Sequence, residues 1–176
     1  YYTLPHRTGA MVLAGFYLDK SIDADSFFVN YFVQCLYAPF STYNFSLGDR
    51  IGSYWNSDNV PELQEKINGI DVFDRLNAFD DVLFMLKNHP YYGAETGRDE
   101  CFALTYYILG EYGKSLSFLE KIISLEKTDS HNWFSDKIGN ARLLKGYIEN
   151  GDFDKGIGQI LQWQEHTIRE IGLNRK

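Results

Sequence analysis

Hydrophobic residues follow two different spacings along this chain, and the change falls near residue 60. Residues 9–18 (GAMVLAGFYL) and 26–39 (SFFVNYFVQCLYAP) are dense in Val, Phe and Tyr, with the turn-rich DKSIDAD between them. That composition predicts two strands separated by a turn. In the second run Phe27, Val29, Tyr31, Val33, Cys35 and Tyr37 share one face of a strand. Phe28, Asn30, Phe32, Gln34 and Leu36 share the other, so alternation is imperfect and both faces are expected to be partly covered. A helix also fits this run; its β-branched and aromatic density and the closing Pro39 favour the strand. Residues 41–55 (STYNFSLGDRIGSYW) predict an edge strand with loops.

Beyond Pro61 the spacing is helical. Asp58 or Asn59 suits a cap, Pro61 a first turn, and Glu62 and Glu65 complement the helix dipole. Leu63, Ile67, Ile70 and Phe73 recur at helical spacing, and Leu76, Phe79, Val82, Leu83 and Leu86 continue the stripe to a stop at NHPYYG. Asn68-Gly69 is a candidate break between two helices. Four more helices are predicted over 99–109, 114–125, 132–149 and 152–171, each with one apolar stripe. The predicted architecture is α+β. Residues 1–60 form a strand-rich half with a small antiparallel sheet. Residues 61–176 form a helical half packed on it, ending in two helical hairpins.

Those hairpins carry an internal echo. Gly110-Glu111-Tyr112 and Gly151-Asp152-Phe153 each follow one predicted helix and precede another. Five residues after each glycine stands a small residue, Ser115 or Gly156, then an aliphatic one, Leu116 or Ile157. Seven before lies Ala103 or Leu144, and four before lies Tyr106 or Tyr147. Residues 99–171 thus resemble the tetratricopeptide repeat, a helix–turn–helix unit with small residues where its helices touch. Three features depart from that pattern. The two glycines are 41 residues apart, Leu144 stands where a small residue is expected, and SLEKTDS lacks the usual proline. A generic helical bundle with the same turn chemistry fits the same residues. The resemblance implies that the glycine permits the turn and the aromatic wedges between helices. It further implies that partners meet the exposed face of each first helix, here Glu100, Leu104 and Tyr107, then Ala141 and Lys145.

Composition narrows the function classes. A net charge of −7 supplies no basic footprint for nucleic acid, repels anionic membranes and suits a basic protein partner. No apolar run approaches a membrane span. The two cysteines, Cys35 and Cys101, sit in apolar surroundings, which predicts buried, reduced thiols and a cytoplasmic setting. Aromatics are abundant at 16%, and most are assigned to the core, with a minority at a contact surface.

Motifs for chemistry are sparse. Gly113-Lys114-Ser115 ends like a phosphate loop, but the first glycine that loop needs falls at Ile108. His6, His89, His131 and His166 have no metal-ligand spacing, and Asp19, Asp23 and Asp25 lack the glycine and glutamate of a calcium loop. No nucleophile elbow is present, and neither Asp80-Asp81 nor Asp99-Glu100 places two carboxylates on one helix face. No cofactor and no metal are expected. In LGDRIGSYW, Arg50 with Tyr54 and Trp55 forms a candidate contact hot spot; an Asp49–Arg50 ion pair in a turn, with Trp55 plugging the core, is the structural alternative.

These features favour a non-catalytic protein–protein interaction protein, a small bacterial partner-masking or immunity-type protein. Two other readings stay open. One is a hydrolase-like enzyme whose site is assembled from dispersed His, Asp and Glu. The other is a C-terminal interaction module of a longer protein, since the chain opens on Tyr1 rather than Met.

Overall fold

The computed structural model describes residues 1–20, 27–52, 60–70, 76–128 and 134–173. Four strands come first: β1 (Tyr2–Pro5), β2 (Met11–Lys20), β3 (Phe27–Cys35) and β4 (Gly48–Gly52). They form one antiparallel sheet in chain order, and the expected α+β architecture holds. The helices among the described residues are α1 (Val60–Asn68), α2 (Phe79–Asn88), α3 (Glu95–Ile108), α4 (Tyr112–Ser124), α5 (Ser135–Glu149) and α6 (Phe153–Glu170). A single 3-10 turn, Leu125–Lys127, extends α4.

Both sheet faces are covered, as the imperfect alternation in β3 suggests. Val12, Ala14, Tyr31, Val33 and Cys35 point into the main core with the apolar residues of α2 and α3. Leu13, Phe32 and Leu36 form a second core on the opposite face, closed by Ile168 and Ile171 at the end of α6. That helix is held to the sheet by two buried polar side chains. Gln164 donates to the Gly9 carbonyl at 2.9 Å and accepts from the Met11 amide at 2.6 Å. Thr167 donates to the Ala38 carbonyl at 2.9 Å and accepts from the Phe40 amide at 3.2 Å. Two backbone donors and two carbonyls beside the sheet are thereby bonded from a helix more than 120 residues away.

α1 ends at Asn68, where Asn68-Gly69 marks a break, and it buries none of its residues. α2 buries Phe79, Val82, Leu83, Met85 and Leu86. Its first turn is held by Asp81, whose carboxylate accepts the Ala78 and Asn77 amides at 2.7 and 2.9 Å. Its last turn is capped from α3, where Arg98 donates to the Leu86 carbonyl.

α3 is the central helix. It packs against α2, α4 and α6, and nearly all of it from Thr96 to Ile108 is buried. The single stripe of Cys101, Leu104 and Ile108 therefore understates it: a helix covered on several sides buries polar positions too. Asp99 and Glu100 are such positions, and each is paired: Asp99 with Lys121 at 2.8 Å, Glu100 with Lys137.

The two hairpins turn by the same device. Gly110 and Gly151 have φ of +79° and +72°, a left-handed conformation that an L side chain resists. In each turn the glycine amide bonds the carbonyl three residues back, and the next amide bonds the carbonyl five back. Glu111 to Tyr106 and Asp152 to Tyr147 both measure 2.9 Å, so both turns are Schellman motifs. Gly172 repeats the motif after α6, with the Leu173 amide on the Ile168 carbonyl. The small residues after each turn differ in use. Ser115 donates to the Ala103 carbonyl at 2.8 Å, while Gly156 leaves room for the Tyr107 hydroxyl. α6 thus closes back onto α3, and all four hairpin helices share one interior between Leu104, Leu119, Leu144 and Trp163.

Candidate functional site

The outer face of the sheet is covered by α6 only at one end. Toward the edge strand β4 it opens into a cleft of about 430 Å3 lined by Tyr17, Asn30, Phe45 and Arg50, together with Tyr92 and with Tyr31 and Asp49, which by register belong to the other face. Its floor follows from strand register. Tyr17, Asn30 and Arg50 are direct partners across β2, β3 and β4, so their side chains form one row on one face. Ile51 is an extra residue opposite the step from Val29 to Asn30, a bulge that bends β4 beside Arg50.

The walls are aromatic. Tyr17 stacks on Phe45 with ring centroids 4.1 Å apart and planes 16° from parallel. Tyr43 stacks on the far side of Phe45 at 5.8 Å, and Phe32 meets Phe45 edge-on at 4.8 Å. Tyr92 arrives from the segment after α2, where the Tyr92 amide bonds the Ser46 carbonyl at 2.7 Å and Leu47 bridges to Tyr91. The Tyr92 hydroxyl donates to Asp49 at 2.8 Å, and that bond raises its pKa. Burial, with Asp19, raises the Tyr17 hydroxyl, and Arg50 opposes the shift. Both hydroxyls are protonated near neutral pH; the Tyr92 proton is engaged by Asp49.

Two donors stand out. The Arg50 guanidinium carbon lies 3.8 Å from the Phe28 ring centroid, a cation–π contact. The same Asp49 oxygen that accepts from Tyr92 accepts the Arg50 backbone amide at 2.7 Å, and no ion pair to the guanidinium forms among the described residues. The turn ion pair considered from the sequence is therefore a strand with a backbone contact. Asn30 is 6% exposed, yet its side-chain Nδ2 finds no hydrogen-bond partner among the described residues. Gln34, four residues along the same face, is satisfied at both ends by Thr42 and Asn44. A buried amide without a partner costs about 1–3 kcal/mol.

The other residues singled out from the sequence are placed as follows. Tyr54 and Trp55 lie outside the described residues, as do Asp58, Asn59, Phe73, His131, Asp23 and Asp25. Glu100, Leu104, Tyr107 and Ala141 do not form an exposed face: they are 5%, 2%, 0% and 2% exposed. The physical reason is the closure of α6 onto α3, which turns the first-helix faces inward. Lys145 is half-exposed and paired with Glu120 at 2.7 Å and Glu149 at 3.5 Å. Lys114 is exposed and pairs with Glu111 at the start of α4, and Ile108 ends a helix, so no strand leads into Gly113-Lys114-Ser115.

Cys35 and Cys101 are both buried and free, and they neighbour each other between β3 and α3. Tyr37 donates to Thr105 at 2.6 Å beside them, and Thr105 donates to the Cys101 carbonyl at 2.6 Å. His89 bonds the Tyr31 hydroxyl at 2.9 Å. A wider, polar depression of about 630 Å3 near α5 and α6 includes Asp136 and His166. His166 bonds Arg169 on its own helix at 3.0 Å. Among the described residues no three His, Cys, Asp or Glu side chains gather as metal ligands, and no helix is long and apolar enough to cross a membrane.

Asn30 was within reach of the sequence. It is a polar residue set inside an apolar strand run, and its face was assigned correctly, but nothing in the sequence distinguishes it from the satisfied Gln34. No family model matches this chain, and neither a curated protein nor a solved structure matches it.

Proposed function

We propose that this is a non-catalytic protein-binding protein that holds its partner at the aromatic cleft on the outer face of the sheet. The observation that carries this reading is the buried, unpartnered Asn30 amide on the cleft floor. A buried donor left without a protein partner is completed by water or by a bound group, and this reading takes the bound group. The exposed rings of Tyr92, which lines the cleft, and of Tyr43, stacked on the lining residue Phe45, support a macromolecular partner, because tyrosine joins a broad apolar face to a polar tip.

In this reading the tetratricopeptide-like hairpins serve as scaffold, since all the positions carried over from that family except the ion-paired Lys145 lie inside. The net charge of −7 steers a basic protein toward the chain, which suits a cytoplasmic masking or immunity-type role.

The test uses the wild-type chain and a Tyr43→Ala, Tyr92→Ala double variant as baits in an extract of the source cells. Each captured protein is then purified and titrated by calorimetry. The expected result is a direct complex with the wild type that weakens about tenfold or more in the variant. Equal affinity for both chains, or no direct complex, contradicts the proposal.

A further inference from the structure

The cleft's donors specify what it holds. We infer that the Tyr17–Asn30–Arg50 row recognises a carboxylate carried beside an aromatic or other flat apolar group on the partner chain. The inference rests on the binding role proposed for this cleft and adds the chemistry of the bound group.

Three observations converge. First, Asn30 presents a side-chain amide that is buried and unpartnered, so the missing group is a hydrogen-bond acceptor. Second, Arg50 on β4 stands directly opposite Asn30 on β3, with its guanidinium over the Phe28 ring and no ion pair among the described residues. A guanidinium is itself planar and offers two parallel N–H groups, the geometry that matches the two oxygens of a carboxylate. Third, the wall beside these donors is the Tyr17–Phe45 stack, which suits an apolar ring rather than a hydrated chain.

Charge decides between a carboxylate and a phosphate. Asp49 lines the same cleft as Arg50, and the whole chain is acidic. One cation beside one carboxylate tolerates a single negative charge and repels a dianion. The cleft volume of about 430 Å3 matches one or two residues rather than a folded element. Long-range charge still favours a partner that is basic overall; the cleft reads one local carboxylate on it.

A carboxylate beside a ring arises from a chain terminus or from an Asp or Glu side chain. Three probes separate these sources: N-acetylphenylalanine, the N-acetylphenylalanyl-aspartyl amide, and N-acetylphenylalaninamide, which has no carboxylate. Each is titrated into isotope-labelled chain while the backbone amides of β3 and β4 are followed by NMR. The expected result is saturable shifts at Asn30, Asp49 and Arg50 with one or both acids, and at least tenfold weaker binding of the uncharged amide. Preference for the first probe assigns a C-terminus; preference for the second assigns a side chain. Arg50→Met, an exposed position that leaves the fold intact, is expected to lower affinity for the acids about tenfold and leave the amide unchanged. Equal binding of all three probes, no binding of either acid, or full acid binding by Arg50→Met overturns the inference. A partner that is lost with Tyr43→Ala, Tyr92→Ala but kept by Arg50→Met leaves the binding role standing and removes the carboxylate from it.

Discussion

Tyr112 and Phe153, the residues two places after the turn glycines of the two hairpins, stack on each other. Their ring centroids are 3.9 Å apart and their planes 9° from parallel. Tyr107 completes the cluster, meeting Tyr112 edge-on at 5.2 Å and donating to the Phe153 carbonyl at 3.3 Å. Equivalent positions in the two hairpins therefore form one joint between them. Tyr112→Ala and Phe153→Ala should each destabilise the chain by about 2 kcal/mol, both rings being partly exposed. A double-mutant cycle by urea denaturation should return a coupling of about 1 kcal/mol. Additive losses would mean that the rings merely coexist.

Gly156 and Gly158 lie on the same helix and should respond oppositely to alanine. A Cβ on Gly156 would sit 1.8 Å from the Tyr107 hydroxyl and 2.3 Å from its ring carbon. Since Tyr107 is fully buried and cannot swing away, Gly156→Ala should cost about 2–3 kcal/mol or more. Gly158 has nothing within 4 Å, so Gly158→Ala should stabilise α6 by about 0.5–1 kcal/mol. Thermal melts of both variants decide this.

Gln164 is 1% exposed and bonds both the Gly9 carbonyl and the Met11 amide. Gln164→Met keeps the volume and removes both bonds, leaving two backbone groups unsatisfied. The expected loss is about 2–4 kcal/mol, read as a lower urea midpoint with an unchanged m-value. A loss below about 0.5 kcal/mol would mean that water reaches those groups.

Burial pushes the Glu100 carboxyl above the usual carboxylate range, against the opposing effect of Lys137. An acid with a raised folded pKa favours the folded state while protonated. That contribution is present below the unfolded pKa and is lost as pH rises through the folded value. Glu100→Gln removes the titration. The melting temperature of this variant relative to wild type should therefore rise with pH from the ordinary carboxyl range upward. A difference that is flat or falling with pH would contradict it.

The sequence carried the elements well and the site poorly, for physical reasons visible in particular residues. Apolar density in 26–39, the break at Asn68-Gly69 and the glycines of both hairpins are local signals, and local structure follows them. β1 gave no such signal: four residues ending in Pro5 at a sheet edge carry too little pattern. α3 misled for the opposite reason. Its polar residues Asp99, Glu100 and Thr105 resemble a solvent face but are buried with partners contributed by α4, α5 and β3's continuation at Tyr37. The cleft depends on register across three strands and on Tyr92 returning from beyond α2, and no window of sequence contains those pairings. The sequence singles out Arg50 as a contact candidate beside Tyr54 and Trp55, whereas the neighbours the structure describes for it are Phe28, Asp49 and the opposed Asn30.

The central claim is that the Asn30 amide is kept for a bound partner and not for the fold. The most direct measurement is the unfolding free energy of Asn30→Leu, a near-isosteric change that removes the unpartnered donor. The account predicts that the free chain becomes more stable, by about 1–2 kcal/mol. A loss of stability of similar size would show that Asn30 serves the folded chain itself, and the cleft would lose its claim as a binding site.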